Sequence, residues 1–292
     1  MVNEAKLALS TLNQLPADAF AASMAPVFEN AAWITQYLAS ARPFASVTAL
    51  HAAMLERLYA APEAEQITFL RGHPMLSPAT LQRGTTREST AEQISAGLLS
   101  LDQAATARLD AANDAYVARF GFPFILAVRH ASLPTILGAM ERRSTAAPAA
   151  ELAEALREVE AISWMRLLDR VTPAATGGIS LHVLDTVRTR PAAGLAGELW
   201  HVPPNAAAGP VARFITDTAG RAAATPGDGT LTAGDYEWRL DTAAYFARSG
   251  VPTLDRSFLP TVCVRFTVFN PEQHFHVPVL LSQGSYTTYR GS

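Results

Sequence analysis

The sequence is short of several things that enzymes and binding proteins often use. Among its 292 residues there is one cysteine, Cys263, and one lysine, Lys6. A single thiol forms no internal disulfide and no cysteine-rich zinc site. Lys6 lies near the N-terminus, where chains are often loosely held. A Schiff-base lysine needs a desolvated pocket and is therefore close to excluded. Charged residues make up only 17% and the net charge is -3. No basic surplus exists to neutralise phosphates, so nucleic acid is not an expected partner. Long apolar runs are missing as well. The most apolar stretch, Phe122 to Val128, is far too short to span a bilayer. No basic region followed by an apolar segment opens the chain. The expectation is a soluble, cytoplasmic protein with no membrane partner. Its chemistry must come from His, Asp, Glu, Arg, Ser, Tyr or the chain ends.

Hydrophobic residues are plentiful at 49%, enough for one or two cores. Residues 1–171 carry apolar positions at helical spacing. Leu50, Met54 and Leu58 form one stripe; Leu152, Leu156, Val159 and Ile162 form another. Asp102 is placed to cap a helix that Gly121 and Pro123 end. Residues 172–178 (TPAATGG) read as a linker. Beyond it the period is two. Ile179, Leu181 and Val183 alternate with Ser180, His182 and Leu184. Tyr236 to Asp241 and Val262 to Phe269 alternate in the same way. The fold class expected is multidomain α and β: an all-α helical bundle over 1–171 and an all-β sandwich over 179–292.

In the β half, His274 and His276 share one face of a strand, and His182 faces away from the apolar set around it. Alternation alone favours three surface histidines over a functional set. A three-histidine metal site made of His182, His274 and His276 is the other reading that the residues allow. The chain ends in Tyr289-Arg290-Gly291-Ser292. Together with Leu181-His182-Val183-Leu184-Asp185, Arg221 and His276-Val277-Pro278, this tail resembles 5-hydroxyisourate hydrolase, the transthyretin-like enzyme of urate breakdown. Asp217 and Ala219 stand where that family usually has asparagine and aspartate. The resemblance spans the whole β half. It implies hydrolytic ring opening of 5-hydroxyisourate without a metal. It also implies catalytic roles for His182, Arg221, His276 and Ser292, and substrate contact by Tyr289. A further implication is a homotetramer formed through the β domain, with active sites at a dimer–dimer interface. Which histidine is the base stays open.

In the α half, Gly72-His73-Pro74 breaks the helical pattern, and a lone histidine there is usually an ordinary loop residue. Ser89-Thr90-Ala91-Glu92 reads as a capping box, with Ser89 as N-cap and Glu92 reaching back to it. Yet Arg42-Pro43-Phe44, Gly72-His73-Pro74, Ser89 to Gln93, Phe120 to Ile125 and Arg166-Leu167 occur in the order seen in 2-oxo-4-hydroxy-4-carboxy-5-ureidoimidazoline (OHCU) decarboxylase. That family acts on the product of the hydrolase. The fused order resembles the bifunctional allantoin synthases of plants. The resemblance implies that His73 and Glu92 are catalytic. It implies a substrate site lined by Pro74, Ser89, Thr90, Ala91, Gln93, Ile125, Leu126, Ala127, Val128, Arg129 and Arg166. No cofactor and no metal is implied. His51, His130 and His201 are assigned no role.

The function expected is bifunctional: hydrolysis of 5-hydroxyisourate, then decarboxylation of OHCU to (S)-allantoin. The partners are these small-molecule substrates and further copies of the chain. Two alternatives stand beside it. One domain alone is active, or a transthyretin-like ligand carrier is fused to a helical interaction domain.

Overall fold

The computed structural model describes residues 6–78, 86–95, 98, 101–129, 131–202, 209–224, 226, 229–250 and 257–291. It divides into two compact units, Met1–Ala174 and Ala175–Ser292. Among the described residues, no helix is long and apolar enough to cross a membrane.

The first unit is helical: α1 (Leu9–Gln14), α2 (Ala17–Met24), α3 (Ala32–Ser40), α4 (Val47–Tyr59), α5 (Glu63–Arg71), α6 (Arg87–Ser95), α7 (Gln103–Phe120), α8 (Leu133–Arg143) and α9 (Pro148–Arg170). Leu50, Met54 and Leu58 turn one face of α4 inward, and all three are fully buried. Asp102 caps α7 by accepting from the Ala105 amide at 2.7 Å, and Gly121 ends that helix at φ 79°. Glycine adopts this left-handed conformation without a Cβ penalty. The spine is α9, whose inward stripe holds Leu156, Val159, Ile162, Ser163, Arg166 and Leu167. A charged residue, Arg166, therefore enters the core on a stripe that is apolar but for Ser163. Two short strands, β1 (Leu7–Ala8) and β2 (Val171–Thr172), pair in parallel and tie the two ends of this unit together. Thr172 thus belongs to the helical unit and not to a free linker.

The second unit has two sheets. One runs β11 (Tyr286–Thr288), β10 (Phe275–Leu281), β3 (Ile179–Asp185) and β4 (Arg190–Pro191), with β7 (Arg221–Ala224) also paired to β3. The other runs β6 (Ala212–Ile215), β5 (Ala196–His201), β8 (Gly234–Asp241) and β9 (Thr261–Val268). Ile179, Leu181, Val183, Val277 and Val279 of the first sheet share a buried cluster with Leu199, Tyr236, Trp238, Leu240, Val262 and Val264 of the second. Period two decides this: the intervening residues, including Ser180, His182 and His276, stay only partly covered on the outer face. A short helix, α10 (Thr242–Arg248), follows β8 and is capped by Asp241.

Candidate active sites

In the helical unit, a small cavity is lined by His73, Pro74 and Leu76, by Ser89, Glu92 and Gln93 of α6, by Phe124, Ile125, Leu126 and Val128, and by Ile162 and Arg166 of α9. Its wall is largely apolar with a few convergent polar groups, the make-up of small-molecule sites. Arg166 is the hub. Its Nε and Nη2 grip Glu92 at 3.1 and 2.8 Å, Nη2 also donates to Ser89 Oγ at 3.0 Å, and Nη1 donates to Glu29 Oε1 at 3.1 Å. Four of its five N–H donors are thus engaged by protein. Burial opposes the charge, but the hydrogen bonds and charge of Glu92, with Glu29 and Glu88, hold the guanidinium above its ordinary pKa. Arg129 reaches the same carboxylate from the rim, at 3.4 Å, while pairing with Asp169 at 2.6 Å.

His73 follows α5. Its Nδ1 lies 3.3 Å from the Phe69 carbonyl, and its ring meets the Phe69 ring edge-on at 4.8 Å. A carbonyl only accepts, so Nδ1 carries the hydrogen. In the neutral ring Nε2 is then an acceptor. Burial pushes the His73 pKa below the ordinary histidine value; Arg166 pushes the same way, while Glu29 and the Phe69 and Leu70 carbonyls resist. Gln93 offers Nε2 to the Met75 carbonyl at 3.4 Å, whereas its buried Oε1 has no hydrogen-bond partner among the described residues. The extended stretch 123–128 is held from behind. Arg143 donates to the Ile125 carbonyl at 2.9 Å, and Glu158 accepts from the Ala127 amide at 2.9 Å.

The capping-box expectation is corrected by this geometry. Helix α6 starts one turn earlier, and Thr86 is its cap: its carbonyl accepts from the Thr90 amide at 2.9 Å and its Oγ1 from the Ser89 amide at 3.3 Å. Ser89 Oγ instead donates to Glu29 at 2.7 Å, and Glu92 turns to the two arginines. Both side chains are drawn away from the helix end by buried charge, which gains more from pairing than a neutral cap does.

In the β unit, strand pairing assembles the candidate residues. His182 sits directly opposite Arg221 on β7, and His276 sits beside Ser180 across the parallel β10–β3 pair. The two imidazole rings are 6.5 Å apart and inclined by 32°. Ser180 Oγ stands 2.8 Å from His276 Nδ1 and 2.7 Å from His274 Nε2. One hydroxyl proton serves only one of these bonds, so the tautomers of the two histidines are linked. Burial lowers the His276 pKa, and Arg221, His182 and His274 add to the effect. The turn before Arg221 closes on Asp217, whose Oδ1 accepts from the Ala219 and Arg221 amides at 2.9 and 2.8 Å. The tail lies along β10, and the Gly291 amide donates to the His276 carbonyl at 2.9 Å. A Cβ at position 291 would come within 2.5 Å of the His276 ring, so glycine alone lets the tail lie against it. Arg290 covers the Phe269 and Phe275 rings, and Tyr289 projects into solvent. Among the described residues, no three His, Cys, Asp or Glu side chains are grouped to hold a metal ion.

Both units match known families over most of their length. The model for OHCU decarboxylase matches residues 13–168, and that for the HIUase/transthyretin family matches residues 179–291. The chain belongs to the OHCU decarboxylase family, followed by a HIUase/transthyretin-family unit. The 2-oxo-4-hydroxy-4-carboxy-5-ureidoimidazoline decarboxylase of Haloferax volcanii is 36% identical over 165 residues, 56% of this chain and 96% of that one. The 5-hydroxyisourate hydrolase of Deinococcus radiodurans is 40% identical over 116 residues, 39% of this chain and 96% of that one. A crystal structure of (S)-allantoin synthase aligns with 98% of this chain and 100% of its own, at 33% identity and a TM-score of 0.80.

Of the residues expected from sequence in the decarboxylase unit, His73, Pro74, Ser89, Glu92, Gln93, Ile125, Leu126, Val128 and Arg166 line the cavity. Thr90, Ala91, Ala127 and Arg129 do not. Ala127 faces Glu158 through its amide, and Ala91 is on the exposed side of α6. His51 is buried, bonds Ser163 at 2.9 Å and packs on Trp164. Ser292 and His130 lie outside the described residues. Glu29, Leu76, Phe124 and Ile162 were not expected in the helical site, and Ser180 was not expected in the β site. Ser180 had a signal to find it by, since period two places it on the His182 face, and Phe124 lies inside the Phe120 to Ile125 motif.

Proposed function

We propose that the chain runs two consecutive steps of urate breakdown. The β unit hydrolyses 5-hydroxyisourate to OHCU, and the helical unit decarboxylates OHCU to (S)-allantoin. The observation that carries this is the pairing of both families in one chain, aligned end to end with (S)-allantoin synthase.

In the β unit, His276 and His182 are the proton-handling pair. His276 is held neutral and has Nδ1 tied to Ser180, which leaves Nε2 to take a proton from water. His182 then serves the leaving ring nitrogen. Arg221 presents a planar fork to substrate oxygens. Tyr289 and Ser292 orient substrate from the tail. These groups lie on an outward sheet face beside Pro278 and the exposed Leu280, so a second copy of the chain encloses the site. The assembly proposed to supply that copy is a homo-oligomer, tetrameric through the β unit.

In the helical unit, breaking the bond to the carboxylate leaves an electron pair that passes into the ring. A proton delivered to one face of the neighbouring carbon then sets the configuration. His73 Nε2 accepts the substrate hydroxyl proton and can return it to carbon. Glu92, held by Arg166, grips the hydroxyl or ureido group. Arg129 at the rim meets the carboxylate. Arg166 is engaged mainly by protein and acts chiefly by aiming Glu92.

The test starts from freshly generated 5-hydroxyisourate, following its absorbance decay and the chirality of the allantoin. His276→Ala should slow the first step alone, by about 10²- to 10⁴-fold. His73→Ala should let OHCU accumulate and decay to racemic allantoin. Diluting the wild type should weaken only the first step. If neither substitution changes either rate, the assignment is wrong; a first step indifferent to dilution removes the second copy from it.

A further inference from the structure

The bend Phe28–Ala31 enters α3 and holds no residue given a chemical role above, yet it touches both halves of the helical site. Glu29 is 4% exposed. Its Oε1 accepts from Ser89 Oγ at 2.7 Å, from Arg166 Nη1 at 3.1 Å and from Thr86 Oγ1. The next residue, Asn30, donates from Nδ2 to the Gly72 carbonyl at 3.0 Å, immediately before His73. Asn30 sits at φ 59°, a left-handed conformation that asparagine tolerates better than most residues. On the other flank, Phe28 packs on Phe69 at 6.2 Å, and Phe69 is the ring that meets His73. One short bend is thus bonded to the loop that carries His73 and to the helices that carry Glu92 and Arg166.

We infer that Glu29 is a positioning residue of the decarboxylase site, fixing Ser89 and Arg166 on one side while Asn30 fixes the Gly72–His73 turn on the other. The inference rests on the assignment of the helical unit to OHCU decarboxylation. Its physical basis is the single charge of Arg166 set between two buried carboxylates. With Glu29 neutral, Arg166 Nη1 and Ser89 Oγ lose a charged acceptor, and the guanidinium no longer has a reason to stand in the orientation that grips Glu92 from two atoms. A misplacement of this kind acts on the aim of Glu92, and errors near 1 Å can cost about 10²-fold in rate. Glu29 also bears on the proton affinity of His73. Among the described residues, the charged groups that act on His73 are Glu29 from the bend and Arg166 from α9, and Glu92 of α6 lines the same cavity. Glu29 favours the imidazolium, against burial and Arg166. Removing its charge therefore moves the His73 titration to lower pH.

The experiment uses the full chain with Glu29→Gln, which keeps shape and an acceptor oxygen but drops the charge. The kcat for OHCU should fall about 10- to 100-fold with KM little changed. The His73 titration, read by imidazole NMR, should move to lower pH than in the wild type. Hydrolysis of 5-hydroxyisourate by the same molecules serves as the internal control and should be unaffected. Asn30→Gly keeps the backbone conformation and removes the amide, and should give a smaller fall in kcat. A Glu29→Gln protein with wild-type kcat, or with an unmoved His73 titration, overturns the role of Glu29. A wild type that hydrolyses 5-hydroxyisourate but does not decarboxylate OHCU overturns the assignment of the unit instead, and the titration still reads the link between Glu29 and His73.

Discussion

The helical site keeps Glu29, Glu92 and Arg166 inside the unit, each less than a tenth exposed and each bonded to another. The β site keeps His182, His276 and Arg221 on an outward sheet face, where main-chain pairing sets their spacing. The first arrangement is held by charge. Removing any one charge strands its partners in a low dielectric, so geometry and stability are the same property there. The second is held by register. Its side chains can change with little consequence for the sandwich beneath them, because the buried residues of β3 and β10 are the alternate ones. An enzyme that opens a ring with water can build its site on an outward sheet face that a second copy covers. One that must hold a carbanion and protonate it on one side gains from a closed, pre-aimed pocket.

The widest separation should come from removing the arginine of each site. Arg166→Met leaves Glu29 and Glu92 buried without their cation and should destabilise the helical unit by about 3–5 kcal/mol, abolishing decarboxylation. Arg221→Met should lower hydrolysis at least about tenfold while leaving stability within about 0.5 kcal/mol. Denaturant unfolding followed by tryptophan fluorescence and circular dichroism, alongside both activity assays, measures this. Equal stability losses in the two variants would break the contrast between charge-held and register-held sites.

Acid should separate the units next. His51 is buried against Trp164 and Ser163, and burial lowers its pKa from 6.5 to about 4. The unfolded chain then binds a proton in the interval between these values that the native state refuses. Stability is therefore fully present above pH 6.5 and lost as the pH falls toward 4. The full interval is worth roughly 3 kcal/mol at most. His73 in the same unit works in the same direction. His51→Gln should flatten the slope over that range when stability is measured by urea unfolding at stepped pH. A slope unchanged by the substitution would mean that other groups carry the acid sensitivity.

The same contrast explains what could be read from sequence. Strands, helices and the Asp102–Gly121 limits of α7 depend on neighbours in the chain, and their periods and caps are visible there. His182, Arg221 and His276 are named through the motif residues that carry the family resemblance; alternation alone gives only the strand face of the histidines and favours a plain surface reading. Glu29 has no such signal. Its partners are 60 and 137 residues away, and Phe28-Glu29-Asn30 has no local pattern to mark it. Ser89 was misread for the same reason. The segment Thr86-Arg87-Glu88-Ser89-Thr90 offers several hydroxyl caps, and the choice among them is made by a carboxylate from another element.

Two helix caps give the smallest and most local test. Thr86 caps α6 in the helical unit, and Asp241 caps α10 in the β unit by accepting from the Ala244 amide at 3.0 Å. Replacing either by alanine removes one side-chain bond to a helix end and should cost about 1 kcal/mol. Their functional effects should differ. Helix α6 carries Ser89 and Glu92, and Thr86 also bonds Glu29, so Thr86→Ala should lower decarboxylation a few-fold and Thr86→Ser should restore it. Helix α10 carries no residue of the β site, so Asp241→Ala should leave hydrolysis at the wild-type rate. If Thr86→Ala proves neutral in both stability and rate, then the cap is not at Thr86 and the charge network alone fixes the start of α6.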